Sequence, residues 1–151
     1  SLAAAGYGST GQALFAYSGA PVLSVSNLVS NVGVISADTT GVGTARGRLA
    51  AASYGTDKAI FAYGHSPATA ISNLVSNSGV VATDTTGVGT ARYALAAAGY
   101  GGDKAIFAYG TTGSRVSLSN LVNNSGVVAS DTTGVGTARD ALAAAGYSLS
   151  A

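Results

Sequence analysis

The sequence has no cysteine, methionine, tryptophan or glutamate, and its six acidic residues are all aspartate. Without cysteine there is no disulfide, no thiolate metal site and no thiol chemistry. Charged residues make up 9% of the chain, against roughly a quarter in ordinary soluble domains. A net charge of +1 leaves no electrostatic footprint for nucleic acid. His65 is the single histidine; no carboxylate stands at ligand spacing from it, so neither a metal set nor a Ser-His-Asp triad can be read. No run reaches the roughly 18 apolar residues of a membrane-spanning helix, and no segment has the pattern of a signal peptide. With no methionine even at position 1, the chain reads as processed, trimmed or excised from something longer. These absences lead us to expect no catalysis, cofactor, metal, nucleic-acid partner or membrane insertion.

Hydrophobic residues are 47% of the chain, many of them alanine, beside 22 glycines. Low hydrophobicity with high charge marks disorder, and this chain has the opposite balance. Its surface must be mostly Ser, Thr, Asn and Gly. So weakly charged a surface has little to oppose association.

The dominant feature is repetition. Asp-Thr-Thr-Gly-Val-Gly-Thr-Ala-Arg occurs at residues 38–46, 84–92 and 131–139, spaced by 46 and 47 residues. Leu-Ala-Ala-Ala begins at Leu2, Leu49, Leu95 and Leu142, and leads each time to a tyrosine: Tyr7, Tyr54, Tyr100 and Tyr147. A second block, Ala-Leu/Ile-Phe-Ala-Tyr, fills 13–17, 59–63 and 105–109. Ser-Asn-Leu-Val begins at Ser26, Ser72 and Ser119, and a fourth apolar block begins at Gly33, Gly79 and Gly126. We read one domain over 1–151, with units 2–46, 47–92 and 93–139 and an extra strand at 140–148.

Each unit holds four short apolar segments separated by turn residues. Alternation along the second segment, with Ile60 and Ala62 on one face and Phe61 and Tyr63 on the other, is strand periodicity. Four strands in 40 to 50 residues is the arithmetic of a β-propeller blade. The small Ala-Ala-Ala-Gly segment suits the innermost strand, and Phe15, Phe61 and Phe107 suit the space between blades. The expected fold is therefore all-β: three four-stranded propeller-type blades plus one extra inner strand. A competing αβββ repeat follows from residues 90–99, where Thr90 suits an N-cap, Gly99 a C-terminal stop, and the interior is Ala, Leu and Arg.

Laid end to end, a unit resembles a kelch repeat. Arg92 precedes small residues, Gly101-Gly102-Asp103 precedes Lys104-Ala105-Ile106-Phe107-Ala108-Tyr109-Gly110, and Gly126-Val127-Val128 and Asp131 precede Arg139 in kelch order. The kelch double glycine is reduced to a single Gly64 or Gly110, replaced by Ser18 in the first unit, and the kelch tryptophan is missing. The resemblance implies kelch-like architecture. The arrays also look similar to those of predicted virus and phage structural proteins, which implies a virion or extracellular setting.

Three units are too few to close a ring of about four to eight blades. Two chains related by a two-fold axis would close six, joining the C-terminal end of one to the N-terminal end of the other. A contact that does not close would give a filament. The expected function is thus a structural, self-assembling repeat protein whose main partner is itself. The alternative is a carbohydrate- or protein-binding module that meets a glycan or host surface through its loops.

Asp38, Asp84 and Asp131 each stand eight residues before Arg46, Arg92 and Arg139. Once-per-unit recurrence favours a structural pairing that fixes the crossover between blades over an anion-binding ring. The Gly-Val-Gly tracts lack the Lys-Ser/Thr ending of a phosphate loop. Positions that differ between units are free to specialise. They follow the second segment, where His65, Ser66, Thr111 and Arg115 stand, and the repeated arginine, where Arg48 and Tyr93 stand. These six are the candidate binding residues, weighed against plain exposed loops.

Overall fold

The computed structural model describes residues 1–146. It contains nine β-strands: β1 (Ala3–Tyr7), β2 (Gln12–Gly19), β3 (Val22–Val29), β4 (Ala50–Tyr54), β5 (Lys58–Ala62), β6 (Ser72–Val75), β7 (Ala96–Tyr100), β8 (Lys104–Ala108) and β9 (Ser119–Val122). They form three antiparallel three-stranded sheets in sequential order, one per repeat. Among the described residues there is no helix.

The αβββ alternative is corrected: residues 96–100 form β7, not a helix. Local alanine propensity loses to pairing, with each residue of β7 opposite one of β8 from Ala96↔Ala108 to Tyr100↔Lys104. A helix this short has little stability of its own. The four-strand count is corrected too. The fourth apolar segment touches the third strand only through isolated bridges, such as Val75↔Val81 and Ser72↔Thr85. Between those bridges a side chain interrupts the ladder: Asn73 donates through Nδ2 to the Ala82 carbonyl at 3.0 Å. The extra strand at 140–148 is not formed where it is described. Residues 142–146 include Gly146 beside β7, where a Cβ would lie 2.6 Å from the Gly99 carbonyl oxygen, and among the described residues they pair with no strand. Tyr147 lies outside the described residues.

The core lies between the sheets. Leu14, Ala16 and Tyr17 of the first meet Ala59 and Phe61 of the second. Ile60, Ala62 and Tyr63 of the second meet Ala105 and Phe107 of the third. Phe61 and Phe107 are fully buried, whereas Phe15, with no sheet on its side, is 36% exposed. Full burial of such a ring stabilises by about 1.5–3 kcal/mol. The first strands lie side by side, β1 against β4 and β4 against β7. Their small residues permit close approach, and the Ser53 hydroxyl donates to the Gly6 carbonyl at 2.8 Å.

Tyr63 does not share a face with Phe61. Tyr17, Tyr63 and Tyr109 have φ of 64°, 63° and 63°, so the chain leaves the strand alternation at each. The Tyr17 and Tyr63 rings turn toward Phe61 and Phe107 of the following unit. A left-handed tyrosine costs about 1–2 kcal/mol, and the partner that covers its ring must offset that.

Candidate functional site

That partner is the repeated arginine. Arg46 is 1% exposed, and its guanidinium lies 4.5 Å from the Tyr17 ring centroid. It donates to the Tyr63 carbonyl at 2.7 Å, to the Thr44 carbonyl at 3.1 Å and to Asn73 Oδ1 at 2.8 Å. Asn73 in turn donates to Asp84 at 2.9 Å. Asp84 also accepts from the Thr44 amide at 3.0 Å and hydroxyl at 2.6 Å. Arginine, asparagine and aspartate thus bind the first unit to the second.

The same lock joins the second unit to the third. Arg92 is fully buried, 4.2 Å over Tyr63, and donates to the Tyr109 carbonyl at 2.9 Å. Thr90 donates through its hydroxyl to Asp131 at 2.6 Å, and Asn120 donates to Asp131 at 2.9 Å. Here Arg92 turns to the Phe107 carbonyl at 3.3 Å, leaving the buried Asn120 Oδ1 without a hydrogen bond.

The aspartate and arginine eight residues apart are therefore not the contacting pair. Arg92 meets Asp131, at 4.0 Å, and Thr44 meets Asp84: each contact joins successive units. Asn27, Asn73 and Asn120, together with Tyr17, Tyr63 and Tyr109, complete the lock, and reading the sequence missed both sets. Their signal was present, since each recurs in register.

Burial would push the Asp84 carboxyl up. The Thr44 and Asn73 hydrogen bonds, with the Arg46 charge, outweigh it and hold the group below the ordinary aspartate value. Asp131 is lowered in the same balance by Thr90, Asn120 and Arg92. Burial likewise raises the Tyr17 and Tyr63 hydroxyls against the opposing arginine charge.

The lock is half-made at both ends. Arg139 covers Tyr109 at 3.9 Å but is exposed. Beside Gly136 there is no asparagine or aspartate, whereas a Cβ at Gly43 would strike Asp84 and Asn73, and one at Gly89 would strike Asp131 and Asn120. At the other end Asn27 already donates to Asp38 at 2.8 Å, with no arginine reaching them among the described residues. A second pairing behaves alike. Tyr7 fills the space above Gly79 and Tyr54 that above Gly126, while Tyr100 is 38% exposed and Gly33 faces open space.

The six candidate binding residues are brought to one end of the first strands. Gly47 pairs with His65, and Tyr93 with Thr111, so the two variable sets are hydrogen-bonded to each other. The His65 and Tyr93 rings meet edge-on at 4.5 Å, and the Arg48 guanidinium lies 5.7 Å from the Tyr93 centroid. Arg115 donates to Asp140 at 2.7 Å. Ser66 lines a cavity of about 280 Å³ with His65 and Arg48. A rim of hydrogen bonds carries these groups: Arg48 N to Ser1 Oγ at 2.9 Å, Ala94 N to Arg48 O at 2.8 Å, and Ala141 N to Ala94 O at 2.8 Å.

No family model matches this chain, and no curated protein matches it. Among solved structures it is similar to a fungal alcohol oxidase of the AA5 family, described as having catalytic diversity and determined in complex with copper, with a TM-score of 0.60 and 15% identity over 83% of this chain and 29% of that one. At that identity the likeness is one of fold, and this chain spans under a third of that protein's length. It corrects the expectation that the chain is not an enzyme, because an enzyme shares this fold. Arg48, His65, Tyr93, Arg115 and Asp140 form a polar cluster that breaks the repeat, brought together from separate stretches of the sequence. Copper does not fit the side chains present: among the described residues no group of three or more His, Cys, Asp or Glu could hold a metal ion.

Proposed function

We propose that this chain is a self-assembling repeat protein of kelch-like propeller architecture, joined end to end with copies of itself. The observation that carries this is the lock, made twice within the chain and left half-made at each end. One end offers Tyr109, Thr137 and Arg139; the other offers Phe15, Asn27 and Asp38. They are the two halves of one contact, of opposite charge, with the exposed Phe15 on one side and the half-buried Tyr109 on the other. Tyr100 and Gly33 match independently. Such a heterologous contact closes a ring if the rotation permits and builds a filament if it does not. Solution mass by light scattering tests the proposal. Twice the 14.5 kDa chain mass corresponds to two chains closing six units, and large particles to a filament. A monomer at all concentrations overturns it.

A second reading, ligand binding through the variable loops, is favoured by one observation. His65 and Arg48 of the second unit converge with Tyr93 of the third.

A further inference from the structure

We propose that the cavity on the inner rim binds a small organic carboxylate with an apolar body. The cavity measures about 540 Å³, within the roughly 300–1,000 Å³ of small-molecule sites. Its lining is largely apolar: Leu49, Leu95 and Leu142 line it together with Arg48, Tyr93 and Asp140.

Arg48 is the group that selects for charge. Its side chain is exposed, and no carboxylate lies within 4.0 Å of it among the described residues. Asp140 is the carboxylate of the cavity wall, and Arg115 already holds it at 2.7 Å. Among the described residues Arg48 thus presents a guanidinium with no counter-charge, held over Tyr93, which in turn rests against His65. A planar guanidinium fork matches the two oxygens of a carboxylate.

The repeat supports the same assignment. Arg48 stands where the next units have Ala94 and Ala141, and Tyr93 stands where the others have Gly47 and Asp140. The scaffold is kept and only these side chains change. A polyol fits less well than an apolar body. Beyond Arg48, Asp140 and the Tyr93 hydroxyl, Ser1 is the one further polar side chain on the wall, too few partners for many hydroxyls.

The site uses none of the lock residues, so it stands or falls apart from self-assembly. The test is titration of the full chain with benzoate, followed by NMR of the Tyr93 and His65 rings. Saturable benzoate binding is expected, about tenfold or more tighter than benzamide, which keeps the body and lacks the charge. Arg48→Gln should weaken benzoate about tenfold with an unchanged circular dichroism spectrum. Asp140→Asn should tighten it, since Arg115 is then released from its partner. Equal binding of benzamide, undiminished binding by Arg48→Gln, or no saturable benzoate binding would each overturn the proposal. Saturation by glucuronate but not benzoate would overturn it in favour of a sugar site.

Discussion

The Arg139 guanidinium sits 3.9 Å from the Tyr109 ring, in the arrangement of Arg92 over Tyr63, yet Arg92 is fully buried and Arg139 is exposed. The difference is that the third unit brings Asp131 to Arg92, whereas among the described residues no carboxylate reaches Arg139. One side chain in one backbone setting is thereby seen with and without its counter-charge.

Arg92→Ala and Arg139→Ala should accordingly differ in stability. Removing Arg92 leaves the Tyr109, Thr90 and Phe107 carbonyls without their charged donor, uncovers the Tyr63 ring and empties a buried site, a loss of about 3 kcal/mol or more. Removing Arg139 deletes an exposed contact of about 1 kcal/mol or less. Urea denaturation at the lowest workable concentration measures both. Similar midpoint shifts would contradict the lock as the main tie between units.

Association should respond to charge at the open halves. Asp38→Arg and Arg139→Asp should each weaken self-association, by placing like charges at the junction. A mixture of the two variants in equal amounts should partly restore it, since both junctions then join opposite charges. Sedimentation of each variant and of the mixture reads this directly. If the mixture behaves as the sum of its parts, the junction lies elsewhere.

Gly89→Ala should cost more than Gly136→Ala. Both glycines have positive φ, 77° and 75°, so alanine is strained at either by about 1 kcal/mol. At Gly89 the new methyl also drives into Asp131 and Asn120, while at Gly136 the nearest atom is the Tyr109 hydroxyl at 3.5 Å. Thermal unfolding should therefore place the Gly89→Ala midpoint several degrees below that of Gly136→Ala. The gap should narrow in a chain that has associated.

Much of this organisation is legible in the amino-acid sequence. The in-register Phe61 and Phe107 mark the contacts between sheets, because a repeat can bury a large ring only against its neighbour. The pairing of Asp131 with Arg92 is not legible there. The eight-residue spacing points to a partner within one stretch, whereas the chain returns a whole unit later to supply it. The face of Tyr63 is misread for a local reason: its left-handed backbone breaks the alternation that assigned it. Arg48, Tyr93, His65 and Arg115 stand out in the sequence as variable positions, but that they meet is not legible, because Arg48, Tyr93 and Asp140 come together only through the hydrogen-bonded rim.

Stability should fall in acid through the locks. Asp84 and Asp131 both titrate below the ordinary aspartate value of 3.8 in the folded chain. A carboxylate whose folded value is depressed binds fewer protons folded than unfolded. Its contribution is therefore complete above about pH 4 and is lost as pH falls through the depressed folded value. Protonation removes the acceptor for Thr44 or Thr90 and the counter-charge of a buried arginine together. The Asp84→Asn, Asp131→Asn double variant should be less stable than the parent at neutral pH, and its stability should change less between about pH 5 and pH 2. Urea unfolding across that range measures the slope. An acid limb as steep in the double variant as in the parent would mean that other carboxylates carry it, and that the locks hold through their neutral hydrogen bonds and the arginine-on-tyrosine contacts.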